Sequence, residues 1–176
     1  MEKSIPIPEG VTVEQQGTIL TVTGPKGTLT RTFEASGVTL AVAGAEVKIT
    51  SASDRRKTRA LTGTTAAHVR NMIQGVQTGY EARLKAIFSH FPIKVKVEGN
   101  RVVVQNFLGE RDSRTVGILE GVTVDAKKEE IIITGIDRER VGQTAGRIER
   151  IAKVKGFDRR IFQDGIHLIQ KARPAE

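Results

Sequence analysis

Hydrophobic positions in the first fifty or so residues alternate with polar ones: Val11 and Val13, Ile19, Leu20 and Val22, Leu29 and Phe33, Val38, Leu40 and Val42, Val47 and Ile49. A period of two puts one face of a strand on a core and the other in water, and glycine-bearing turns separate the runs. From about Asp54 the period lengthens. Leu61, Thr65, Val69, Met72, Ile73 and Val76 recur at the spacing of an amphipathic helix, whose apolar stripe covers the preceding sheet. Asp54 is the expected N-cap, and Gly75 or Gly79 the expected stop. Met72 lies in the stripe and reads as core filler.

The pattern then starts again. An alternating stretch at residues 80–88 predicts a strand and connector, followed by strands at 93–97, 101–104, 113–116, 122–124 and 130–134. A second helix is expected over 138–153, with Val141, Ala145, Ile148 and Ile151 buried and Arg147 and Arg150 outside that stripe. The two passes match in detail: Gly17 and Gly99, like Gly27 and Gly109, are 82 residues apart, GVTL (37–40) answers GVTV (121–124), and EVKIT (46–50) answers EIIIT (130–134). Duplication of one small module explains this most simply. The expected fold is α+β, a tandem pair of modules at 1–80 and 81–176, each an antiparallel β-sheet packed against one α-helix. Copies share a core and differ where they work, which draws attention to residues 154–176, a tail without a counterpart in the first copy. Its Pro174-Ala175-Glu176 end is expected to be disordered.

Charge sharpens the picture. The formal net charge is +8 and the sequence pI about 10.0, which favours acidic partners. Residues 55–70 carry Arg55, Arg56, Lys57, Arg59 and Arg70 with no acid, and residues 147–173 carry eight basic and three acidic residues. Outside these two regions the chain is slightly acidic, an ordinary solvated surface. Either region alone could be a solvated face; together they favour a polyanion.

Catalysis finds little support. His68, His90 and His167 are far apart with no metal-ligand spacing, there is no GxSxG elbow, and cysteine is absent, which excludes disulfides and thiolate zinc sites. Asp158 and Asp164 are expected to pair with Arg159, Arg160 or backbone amides rather than to form an acid-base couple. No cofactor or metal site is expected. Gly24-Pro25-Lys26-Gly27 is not a phosphate-cradling Walker loop and reads as a hairpin turn, with Lys26 a candidate phosphate contact at its tip. No apolar run approaches a membrane span or the core of a signal peptide, so a cytoplasmic location without membrane contact is expected.

Among nucleic-acid binders, a stacking platform is disfavoured by only seven aromatics, and zinc-finger and zipper spacings are missing. Recognition of the backbone and shape of folded RNA remains, A-form RNA offering phosphates, 2′-hydroxyls and shape rather than a base code. Two rivals are a double-stranded DNA architectural protein and a small phosphoryl-transfer enzyme. Comparative binding to A-form RNA and B-form DNA separates the first, and a turnover assay with nucleoside triphosphates the second.

TVTGPKGTL (21–29), AHVRNMIQGV (67–76), SHFPIKVKVEGN (89–100), NFLGER (106–111) and GFDRRIFQDGIHL (156–168) together give a chain that resembles the L six family of large-subunit ribosomal proteins in its archaeal and eukaryotic form. The FDRRIFQDGI version of the C-terminal signature favours an archaeal source. The resemblance implies two tandem sheet-plus-helix modules, no catalysis, and binding to large-subunit ribosomal RNA near the sarcin-ricin region and the stalk base. Neighbouring large-subunit ribosomal proteins and nearby translation GTPases are the further partners it implies, and the second module is expected to make most RNA contacts. Carried onto this chain, the RNA-binding candidates are Lys153, Lys155, Arg159, Arg160, Lys171 and Arg173, with Arg147 and Arg150 on the helix face. Charge alone adds Arg55, Arg56 and Lys57 as contacts to RNA or protein. Gly156 and Gly165 are expected to turn sharply or admit RNA backbone, and Gln163 is a candidate donor to a sugar or base edge.

Overall fold

The structure is a computed structural model that describes residues 2–34 and 37–175. The chain divides into two units, Met1–Gly79 and Tyr80–Glu176.

In the first unit, β1 (Glu2–Pro6), β2 (Thr12–Gln16), β3 (Ile19–Gly24), β4 (Gly27–Thr32), β5 (Val38–Ala43) and β6 (Glu46–Ser51) precede α1 (Arg56–Gln77). The strands form not one sheet but two, in the antiparallel orders β1-β6-β5 and β2-β3-β4. Two small sheets suit short strands, because a single helix can close both: Ile5, Val47 and Ile49 from one and Leu20 and Val22 from the other share a core with Val69, Ile73 and Val76 of α1. The predicted stripe is therefore the buried face, with Leu61 half-exposed at its start.

Asp54 is not the N-cap. Arg55 takes that position without a side-chain cap, and the Asp54 carboxylate lies 3.8 Å from Arg59 Nε, one residue too early to reach the helix amides. Gly75 stays inside the helix, whereas Gly79, at φ +74°, follows the cap residue Thr78 and ends it. The turn Pro25-Lys26 joins β3 to β4 and is fastened to that same helix end. Lys26 N–H donates to Val76 O (2.9 Å), and its ammonium donates to Thr78 O. Gly24 permits the approach, since a Cβ there would lie 2.7 Å from Val76 Cγ2.

The second unit repeats this order. Strands β7 (Tyr80–Ile87), β8 (Lys94–Glu98), β9 (Arg101–Gln105), β10 (Arg114–Gly117), β11 (Val122–Lys127) and β12 (Glu130–Gly135) precede α2 (Arg138–Ile151), and β13 (Gly165–Pro174) follows. The sheet β10-β9-β8 mirrors β4-β3-β2, and β11-β12-β7 mirrors β5-β6-β1. Its core gathers Leu84, Val102, Phe107, Ile131, Ile133 and Ile148. Asp137 caps α2 by accepting from Glu139 N–H at 2.8 Å.

Two expectations change here. The stretch 80–88 is not a connector: Tyr80, Ala82, Leu84 and Ala86 are buried along β7, which lies between β12 and β13. The second concerns the C-terminal end that was expected to be disordered: β13 runs antiparallel along β7 from Gly165 opposite Ile87 to Pro174 opposite Tyr80, with register shifts after Leu168 and Gln170. It covers the outer edge of β7, whereas β1, the counterpart of β7 in the first unit, is an edge strand among the described residues. Pro174 thus ends a strand, and of the predicted disordered end Glu176 lies outside the described residues.

Candidate nucleic-acid interface

Between α2 and β13 the chain forms a loop, residues 152–164, that carries Lys153, Lys155, Arg159 and Arg160, all exposed. Three sets of contacts hold it. At its start, Arg114 Nη1 donates to the carbonyls of Ile151 (2.7 Å) and Lys153 (3.1 Å), which stops α2 two residues before the predicted Lys153. Arg114 is itself fixed over the Phe107 ring at 4.2 Å and by two bonds to Glu110, whose carboxyl it holds below the usual value. Glu110 and Phe107 belong to the tight NFLGER segment, where Asn106, Leu108 and Gly109 adopt positive φ.

In the middle, Asp158 does not pair with arginine side chains. Its Oδ1 accepts from Arg160 N–H (2.9 Å) and its carbonyl from the amides of Ile161 and Phe162, so it folds the loop into a turn. At the far end, Asp164 is only 3% exposed and meets neither Arg159 nor Arg160. Ser89 Oγ (3.0 Å) and His90 Nδ1 (2.9 Å) donate to its Oδ1, and His90 N–H donates to Oδ2 (3.2 Å). Burial pushes this carboxyl up, but the His90 and Ser89 hydrogen bonds outweigh it and leave it below its ordinary value. The His90 ring also stacks on Phe162 at 4.5 Å, and Phe162 meets Phe157 at 4.8 Å.

Two of the three acids in residues 147–173 are therefore turned to internal hydrogen bonds, and the segment's cations have no such partners. Among the described residues, Arg147, Arg150, Lys153, Lys155, Arg159, Arg160, Lys171 and Arg173 form no salt bridge, while Arg59, Arg83, Arg114 and Arg140 each do. Both carboxylates keep their charge, so the segment's net charge stays as the sequence counts it, while its cationic side chains are left outside ion pairs.

The structure brings Arg150, Lys153 and Arg159 together around a groove of about 810 Å³, with Gly146 and Glu149 on α2 and Gln163 on the loop also on its walls. Arg147, Lys155, Arg160, Lys171 and Arg173 lie outside that lining. On β13, His167, Lys171 and Arg173 are exposed, and Lys85 of β7 stands opposite His167. Lys85 was legible as an outward position of an alternating strand, but its pairing with the tail was not. The Ser89-His90 clamp had a signal too, the single acid of QDG in a basic segment. Gly156 has φ +79° and open space around it, whereas Gly165 is packed inward, a Cβ there falling 3.0 Å from His167 Nε2.

Arg55, Arg56 and Lys57 stand exposed at the start of α1, where no acid complements the helix dipole. Lys26 is committed to the carbonyl end of α1. Among the described residues no group of three His, Cys, Asp or Glu could hold a metal, and no helix is long and apolar enough to cross a membrane.

The family model described as Ribosomal protein L6 matches residues 7–79 and 91–165, one match in each unit. A large ribosomal subunit protein uL6 from Methanosarcina mazei is 45% identical over 170 residues, 97% of either chain. One from Methanothrix thermoacetophila is 44% identical over 96% of either chain. One from Aeropyrum pernix is 46% identical over 95% of this chain and 92% of its own.

Proposed function

This chain belongs to the ribosomal protein L6 family of the large ribosomal subunit, and from that premise we propose that it binds large-subunit ribosomal RNA chiefly through residues 147–173. The binding site is near the sarcin-ricin region and the stalk base, so that the protein supports the surface where translation GTPases dock, beside other large-subunit proteins in the cytoplasm. Its role is structural, without catalysis or cofactor.

One observation carries the reading: eight exposed cations, on the end of α2, the anchored loop and β13, form no ion pair among the described residues, while Asp164 is buried and Asp158 folds a turn within the loop. An anchored loop presents its charges without the ordering cost that a free tail would incur on binding. Phosphates then displace counterions and supply most of the affinity, while hydrogen bonds set register. Arg55, Arg56 and Lys57 form a second, smaller contact to RNA or a protein neighbour.

The test is the salt dependence of binding to large-subunit ribosomal RNA. If about four or more phosphates are engaged, log affinity against log salt falls with a slope near −3 or steeper, from roughly 0.7 to 0.9 per contact. Equal lengths of B-form DNA should bind more weakly. A flat salt response would make the basic segment a solvated face.

A further inference from the structure

From the groove at the end of α2 we infer a nucleotide subsite: it receives one unpaired, unstacked nucleotide of the bound RNA, with its base on the apolar floor and its flanking phosphates on the basic rim. This rests on the RNA-binding reading above and deepens it. The apolar part of the lining is Ile87, Val154, Phe162 and Ile166, beside Asp164 and His167, and these apolar side chains suit the faces of a base and offer nothing to a phosphate. The rim is cationic, with Arg150 in the last turn of α2 and Lys153 and Arg159 on the loop that follows it. A volume of about 810 Å³ lies within the roughly 300–1,000 Å³ of small-molecule sites, room for a nucleotide but not for a duplex.

Polar groups are placed for a base edge. The Gln163 amide both donates and accepts, and the Glu149 carboxylate accepts from an exocyclic amine. Glu149 also disfavours a phosphate inside the groove and leaves the phosphates to the rim. Gly146 completes the α2 wall: a Cβ there would meet nothing within 4 Å, so the missing side chain is open space for the ligand rather than room for a neighbouring element. The clamp of Asp164 and the stack of His90 on Phe162 keep the loop wall in place before RNA arrives, which lowers the cost of capture. A base that is already unpaired costs least to bring in.

The test uses the full chain, a twenty-base-pair RNA duplex, the same duplex with one unpaired adenosine, and that RNA with an abasic site at the unpaired position. The wild-type chain should bind the bulged RNA on the order of tenfold more tightly than the paired or abasic RNA. Gly146→Leu fills the groove without changing charge or the helix, and should erase that preference while keeping affinity for the paired duplex and the slope of its salt dependence. Equal binding of all three RNAs with a steep salt slope overturns the subsite and leaves RNA binding intact. Loss of the salt slope overturns the RNA reading itself.

Discussion

Asp164→Asn removes one charge from the end of the basic loop and nothing else in shape. In the wild-type chain the carboxylate accepts three hydrogen bonds, two on Oδ1 and one on Oδ2, from Ser89 and His90. An amide cannot accept on both sides. With its oxygen kept toward Ser89 Oγ and His90 Nδ1, its NH2 faces the His90 backbone N–H, and that donor is left without an acceptor. A buried donor left unsatisfied costs about 1–3 kcal/mol, so a loss of about 2 kcal/mol is expected for the second unit. For a unit of this size that lowers its melting temperature by roughly 10 °C. The pH dependence supplies a second readout. Because the folded carboxyl sits below its unfolded value of about 3.9, its contribution is full above that value and is lost as pH falls through the folded one. The wild-type chain should therefore lose more stability than Asp164→Asn in acid below about pH 4. A variant that melts within about 2 °C of wild type, with the same acid slope, would refute the clamp.

Two further substitutions test what holds the modules. Gly24→Ala drives a Cβ against Val76 Cγ2 at 2.7 Å and should destabilise the first unit by about 1–3 kcal/mol in denaturant titration, with the second unit unchanged. Arg114→Met removes the guanidinium from the Phe107 ring and from Glu110 and frees the carbonyls of Ile151 and Lys153, and should cost on the order of 2 kcal/mol, with faster amide exchange at the end of α2; an unchanged exchange pattern there would count against the anchor.

The modules were legible because their elements are local. Alternation at Leu20, Val22, Val47 and Ile49 and the stripe at Val69, Ile73 and Val76 depend only on near neighbours in sequence, and the glycine turns recur with them. Pairing across long stretches left no such trace. Ser89 and His90 lie some 75 residues from Asp164 in sequence, and β13 returns to β7 across the whole unit. Periodicity says that residues 80–88 form a strand; it does not say which strands flank it. The eight cations were visible as a charge run; of the partners expected for Asp158 and Asp164 the backbone amides of Arg160 and His90 are the ones used, and the Ser89 and His90 side chains on Asp164 had not been legible. For the same reason Arg114 passed as an ordinary surface residue, since its work is done on carbonyl groups that carry no side-chain signature.

The central claim is that residues 147–173 attach this protein to ribosomal RNA. Arg159→Glu with Arg160→Glu tests it most directly, because both side chains are exposed and free of ion pairs, so their reversal should leave folding within about 0.5 kcal/mol per site. Each reversed contact should weaken RNA binding by on the order of 1 kcal/mol or more. The account predicts a double variant that melts like wild type, binds large-subunit ribosomal RNA at least tenfold more weakly, and is depleted from assembled large subunits. Normal incorporation at normal affinity would contradict it and move the RNA site elsewhere on the chain.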